Sequence, residues 1–110
     1  GSVGFTVGEL ETVCRARAPI TFVVFSNSNF GWIKASQFAD KGARYYNVDF
    51  NRTDHAAIAA AYGIKSWRVE QPEDLERVMR EAVDHDGPTL VDVVCQALED
   101  SNAPVRRWMG

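Results

Sequence analysis

The stretch Ile20-Thr21-Phe22-Val23-Val24-Phe25-Ser26-Asn27-Ser28-Asn29-Phe30-Gly31-Trp32 decides the fold. It opens as an unbroken apolar, β-branched and aromatic run. It ends in four small polar residues and an aromatic-glycine pair. A run without alternation predicts a strand buried on both faces, as in a parallel sheet covered by helices. In open α/β sheets, ligands lie just beyond the carboxyl ends of the strands. Ser26 to Asn29 are expected to take that position.

Working outward, the flanking segments alternate in type. Before the strand, Thr6 and Glu9 have the spacing of a capping box. A helix is predicted from there through Leu10, Val13 and Cys14 to Arg17, stopped by Pro19. After the turn, Trp32, Ile33, Ala35 and Phe38 give a second helix its apolar side. Residues 40–54 read as a long loop, a feature often tied to function or a partner. Thr53 or Asp54 caps an Ala-rich helix, Ala56 to Tyr62, which Gly63 ends. Ile64 to Val69 is a short strand, with Trp67 expected to pack under the next helix. That helix starts at Pro72 with acids at its positive end. Its predicted stripe is Leu75, Val78, Met79, Ala82 and Val83. Gly87-Pro88 breaks it before a second unalternating strand, Thr89 to Val94. The tail from Asp100 is polar and carries Pro104 and Trp108.

Strands alternating with helices imply βαβ units. The expected fold class is α/β, a three-layer sandwich with a mainly parallel sheet. About three strands are expected, fewer than the usual five to six. The thin sheet suggests that a strand is missing at the N-terminus. Gly1-Ser2 reads either as a remnant of cloning or as native sequence.

Composition narrows the function classes. The 110 residues are 45% hydrophobic and 25% charged, ordinary globular values that suit one domain or a piece of one. A net charge of -3 gives no basic footprint for nucleic acid. No apolar run has the length of a membrane span, and no signal peptide opens the sequence. Cys14 and Cys95 lie apart in apolar contexts and read as reduced thiols of a cytoplasmic protein.

The polar turn has the chemistry of a hard-cation site. Mg²⁺ takes oxygen ligands and is usually held by one or two protein groups plus phosphates. A side-chain oxygen of Asn27 and the carbonyl of Asn29 could face one side of a tight turn. Ser and Asn also favour turns for local reasons, so a purely structural turn stays open. His55 and His85 read as exposed helix-terminal residues. Asp84-His85-Asp86 is too compressed to converge on one ion. Glu9 and Glu11 suit the first turns of a helix. Lys34 and Lys41, flanking the turn, read as solvated charges. Trp32 and Phe38 read as core or interface residues.

Four patches in register carry a family resemblance. Gly1-Ser2-Val3-Gly4-Phe5-Thr6-Val7-Gly8-Glu9-Leu10-Glu11-Thr12 followed by Phe25 to Lys34 resembles the thiamine diphosphate motif. Ala61-Tyr62-Gly63 with Arg68-Val69, Gly87 to Val93, and Asn102-Ala103-Pro104-Val105 continue it. The chain, residues 1–110, resembles the C-terminal cofactor domain of acetolactate synthase-like and benzoylformate decarboxylase-like enzymes, lacking its N-terminal part. The resemblance implies a thiamine diphosphate-binding fold, thiamine diphosphate and Mg²⁺ as cofactors, and a small 2-oxo acid substrate. Asn27 matches the asparagine whose side chain binds the metal, and Asn29 the residue whose carbonyl does. Gly1, Ser2, Ser28, Phe30 and Gly31 match positions around the cofactor.

Two departures qualify the match. Ser26 stands where the family has its first Asn. The family's metal-binding Asp falls immediately before Gly1 or, in an alternative register, at Ser2. The resemblance also implies a homo-oligomer and a separate pyrimidine-binding domain, on this or another subunit, whose glutamate activates the cofactor. No catalytic residue is assigned within the chain, which is expected to be inactive in isolation. The rival expectation is a non-catalytic dimerisation or interaction module, with apolar surface around Trp32, Phe38 and Trp108.

Overall fold

The computed structural model describes residues 1–40 and 42–100. Lys41, the Asn102 to Val105 patch and Trp108 therefore lie outside the described residues. The chain forms two compact units. The first joins residues 1–26 to residues 54–94, and the second joins the described residues of 27–53 to residues 95–100.

The first unit holds an open three-stranded sheet, β1 (Thr21–Ser26), β2 (Lys65–Val69) and β3 (Thr89–Val94). The order is β1-β3-β2, and both pairings are parallel. Its helices are α1 (Ser2–Thr6), α2 (Leu10–Arg15), α4 (His55–Ala61) and α5 (Leu75–Asp84), with α3 (Gly31–Asp40) belonging to the second unit. Single 3-10 turns at Val7–Glu9 and Pro72–Asp74 lead into α2 and α5. The unit is α/β with three layers, as the sequence predicts.

One face of the sheet packs Val24 and Leu90 with Leu10, Ala59 and Ile64. The other packs Val69 and Val91 with Val78 and Ala82 of α5, and Trp67 joins that cluster as expected. Central β3 explains its unalternating sequence: Leu90 and Val91, on opposite faces, are both fully buried.

β1 corrects the sequence reading. Among the described residues, only one of its faces is covered. Val24 and Ser26 are buried, whereas Val23 is 38% and Phe25 71% exposed. β1 is an edge strand, and α5 lies over β2 and β3. The apolar run marks a strand but does not reveal that one face stays open. Leu75 and Val83, placed in the apolar stripe of α5, are likewise exposed.

The capping box is also overturned. Thr6 makes no side-chain cap bond, and Glu9 belongs to the 3-10 turn. The chain is already helical from Ser2 to Thr6, so Thr6 ends a helix where it was expected to start one. The signals around α4 act as read. Asp54 Oδ1 accepts from the Ala57 amide at 2.8 Å. Gly63, at φ +88°, closes the helix with two reverse bonds, its own N–H to the Ala60 carbonyl (2.9 Å) and the Ile64 N–H to Ala59 (3.0 Å). Cys14 and Cys95 are thiols, both partly buried.

The second unit contains α3 (Gly31–Asp40) and a 3-10 turn (Leu98–Asp100), which pack together. As predicted, the described part of residues 41–54 forms no helix or strand of its own. It is tied back at a single antiparallel bridge, Asn29 to Asp49. Among the described residues, no helix is long and apolar enough to cross a membrane.

Candidate functional site

The second unit contains the polar turn. Phe30 N–H donates to the Val48 carbonyl and Phe50 N–H to the Ser28 carbonyl, each at 2.8 Å. These bonds flank Asn29, so its own amide faces away from the bridge. The Asn29 amide turns to Asn27 Oδ1, at 3.3 Å. Ser28 between them sits at φ +56°, the left-handed region that non-glycine residues seldom adopt. Phe30 and Phe50 lock edge-to-face with centroids 4.4 Å apart. The turn is therefore held from both sides before any ligand enters.

Two features point to a ligand. Asn29 is only 5% exposed, and its Oδ1 is buried with no hydrogen-bond partner. A buried oxygen left unpaired costs about 1–3 kcal/mol. Gly31 keeps the space beside it open: a Cβ there would meet Asn27 Nδ2 at 3.0 Å and Asn29 Oδ1 at 3.3 Å. The donors gathered here are hard amide oxygens, the type Mg²⁺ takes. Lys34, read as a solvated charge, is only 14% exposed in its side chain. It donates to Asp49 Oδ1 at 2.7 Å and lies over the Tyr45 ring. Trp32 is exposed, so it is not a core residue.

The first unit holds a polar cluster that sequence reasoning missed. Asp92, on central β3, is fully buried. Arg68, its register partner on β2, donates from Nη1 to Asp92 Oδ2 at 2.7 Å. The His55 backbone N–H donates to the same oxygen at 3.0 Å. Ser26 Oγ donates to Asp92 Oδ1 in a short hydrogen bond and lies 2.9 Å from His55 Nδ1. Burial lowers the Arg68 pKa, but the Glu70 hydrogen bond and the charges of Asp92, Asp54 and Glu70 outweigh it and leave the pKa raised. The guanidinium stays charged. His55 is thus no exposed helix-terminal residue. His85 is exposed at the C-terminal end of α5, as read. Among the described residues, no group of three or more His, Cys, Asp or Glu is placed to hold a metal ion.

The sequence profile of the family described as "Thiamine pyrophosphate enzyme, C-terminal TPP binding domain" matches residues 1–93. The chain belongs to this family. Within it, the acetolactate synthase of Bacillus subtilis is 36% identical over 93 residues, covering 84% of this chain and 16% of the relative. A probable acetolactate synthase large subunit of Methanococcus aeolicus is 31% identical over 106 residues, covering 94% and 17% respectively. The crystal structure of benzoylformate decarboxylase from Polynucleobacter necessarius superposes with a TM-score of 0.80 at 26% identity, over 88% of this chain and 18% of that one. The chain thus spans less than one-fifth of the length of these relatives.

Gly1 and Ser2 belong to the first unit, where Gly1 precedes α1 and Ser2 begins it. Asn27, Ser28, Asn29, Phe30 and Gly31 are brought together in the second unit. The sequence signal for the missed Asp92 cluster was faint. Ser26, His55, Arg68 and Asp92 are scattered along the chain, and only strand pairing and the placement of α4 on the sheet assemble them.

Proposed function

We propose that the chain is the cofactor domain of a thiamine diphosphate- and Mg²⁺-dependent enzyme that makes or breaks a carbon–carbon bond next to the 2-oxo group of a small acid. Family membership supports the cofactor. The observation that carries the metal reading is the buried, unpartnered Asn29 Oδ1 beside Asn27 and Gly31. Asn27, through its side-chain oxygen, and Asn29, through its carbonyl with its unpartnered Oδ1 beside it, would hold the ion. Ser28, Phe30 and Gly31 would shape the turn around the diphosphate, and Gly1 and Ser2 would approach it through their backbone. When bound, the cofactor supplies an electron sink for the bond next to the carbonyl. The chain's own part is to bind and orient. The Asn29–Asp49 bridge and the Phe30–Phe50 contact fix the turn in advance, so little ordering cost falls on binding.

Residues 27–31 offer neutral oxygens only. A divalent ion without a carboxylate is held weakly. These 110 residues alone are therefore proposed to be inactive. The proposed working form is a cytoplasmic homo-oligomer in which a pyrimidine-binding domain, on the same or another subunit, completes the site.

Isothermal titration with thiamine diphosphate and Mg²⁺ tests the reading. The 110-residue chain should bind weakly or not at all. Extending it by Gly-Asp before Gly1 should produce saturable binding that Asn27→Ala removes. Continued absence of binding after the extension would defeat the reading. A second reading then gains: a non-catalytic dimerisation or interaction module, favoured by exposed Trp32, Ile33 and Phe38 on α3. A strict monomer in sedimentation would count against that module.

A further inference from the structure

Ser26, His55 and Asp92 together resemble the composition of a hydrolytic triad, but their order is different. In such a triad the acid holds His Nδ1, and Nε2 faces the serine. Here His55 Nδ1 is the atom 2.9 Å from Ser26 Oγ, and the acid binds the serine. A serine hydroxyl has one proton to give. Asp92, paired with Arg68 at 2.7 Å, is a carboxylate and only accepts. The Ser26 proton therefore goes to Asp92 Oδ1. Ser26 Oγ can then meet Nδ1 only as acceptor, so Nδ1 carries the ring proton. Direct contact between Nδ1 and Asp92 Oδ1 is too long at 3.7 Å to replace this relay. Ser26 is left without a lone base to activate it, which removes it as a nucleophile.

The consequence falls on the other ring nitrogen. A neutral imidazole protonated at Nδ1 bears its lone pair at Nε2. The His55 side chain is 22% exposed, unlike the fully buried Asp92. Among the described residues, no hydrogen bond to Nε2 is found. Ser26 is the last residue of β1, so the ring lies at the carboxyl end of that strand, where ligands of α/β sheets bind. We propose that Ser26 and Asp92 are positioning residues that lock His55 as the Nδ1–H tautomer and present Nε2 as an acceptor for a ligand N–H or O–H group. The proposal does not depend on cofactor binding.

Nitrogen-15 NMR of the histidine rings above their titration range reads the tautomer. His55 should show its proton on Nδ1 in the native chain. In Ser26→Ala the Nδ1 proton loses its acceptor, and the ring should shift toward Nε2–H. Ser26→Thr keeps the hydroxyl and should restore the native signature. Carbethoxylation by diethylpyrocarbonate reports on the same lone pair. Nε2 forms a bond to one carbonyl carbon of the reagent, the anhydride C–O bond breaks to release ethyl carbonate, and the Nδ1 proton passes to it as it decomposes to ethanol and carbon dioxide. His55 should react in the native chain and in Ser26→Thr. Its rate in Ser26→Ala should fall on the order of fivefold, the ratio set by one hydrogen bond of ordinary net strength. His85, exposed, provides the reference rate in the same sample. An Nε2–H ring in the native chain overturns the proposal, as does an unchanged tautomer in a folded Ser26→Ala. Should that variant fail to fold, the native and Ser26→Thr spectra still decide.

Discussion

The two units treat buried polar atoms in opposite ways. In the first, Asp92 is fully buried, and both of its oxygens are taken, by Ser26, the His55 amide and Arg68. In the second, Asn29 is nearly as buried, and its side-chain oxygen has no partner. A complete network stabilises the fold that contains it, whereas an orphaned acceptor costs stability until a ligand arrives. The first is therefore a structural core, and the second a turn fixed by its own contacts that still leaves one buried acceptor unfilled.

The largest expected effect breaks the complete network. Asp92→Ala leaves Arg68 partly buried and short of its main partner, although Glu70 and Asp54 remain within 4 Å. Removing one member of a buried ion pair costs about 3–5 kcal/mol, and the remaining acids place this case near the lower end. Urea unfolding should show it as a lower midpoint with an unchanged slope. Loss under about 1 kcal/mol would mean that the network contributes little.

Gly63→Ala tests the packing beneath the same unit. The residue sits at φ +88°, and a Cβ there would meet Cys14 Sγ at 3.3 Å. Left-handed backbone costs a non-glycine residue about 1–2 kcal/mol, and the sulfur contact adds to it. Thermal melting should drop by several degrees.

The reverse sign is expected in the second unit. Asn29→Leu replaces an unpaired buried oxygen with apolar volume of similar size. Stability should rise by about 1 kcal/mol, while any affinity for Mg²⁺ and thiamine diphosphate falls. Paired calorimetric melting and titration would check both. A destabilised variant would show that Asn29 Oδ1 is satisfied in solution.

The smallest effect concerns the open face of β1. Phe25→Thr exchanges one strand-favouring residue for another at a position 71% exposed. Stability should change by less than about 0.5 kcal/mol. A larger loss would mean that another molecule or segment covers this face in solution.

Much of the fold was legible because its causes are local. Asp54 and Gly63 bound α4 through bonds to residues three to five positions away, so residue types alone announce them. The apolar run of β1 and the pattern of β3 likewise mark strands without reference to neighbours. The capping box failed for a reason local spacing cannot show: residues 2–6 are already helical, which places Thr6 at a helix end. The turn from Asn27 to Gly31 was legible through its match to the thiamine diphosphate motif. Its rigidity was not, because the bridge to Asp49 and the ring contact with Phe50 join residues about twenty positions apart.

The sequence by itself determined the α/β class, the strand and helix order and the family, since these depend on periodicity, turn chemistry and motif. Tertiary structure alone decided which face of β1 is covered, which asparagine oxygen is left without a partner, and where the Ser26 proton goes. Each of these depends on what a side chain meets across the fold. β1 pairs with β3 68 positions along the chain, Thr21 with Thr89, and no local pattern encodes that encounter.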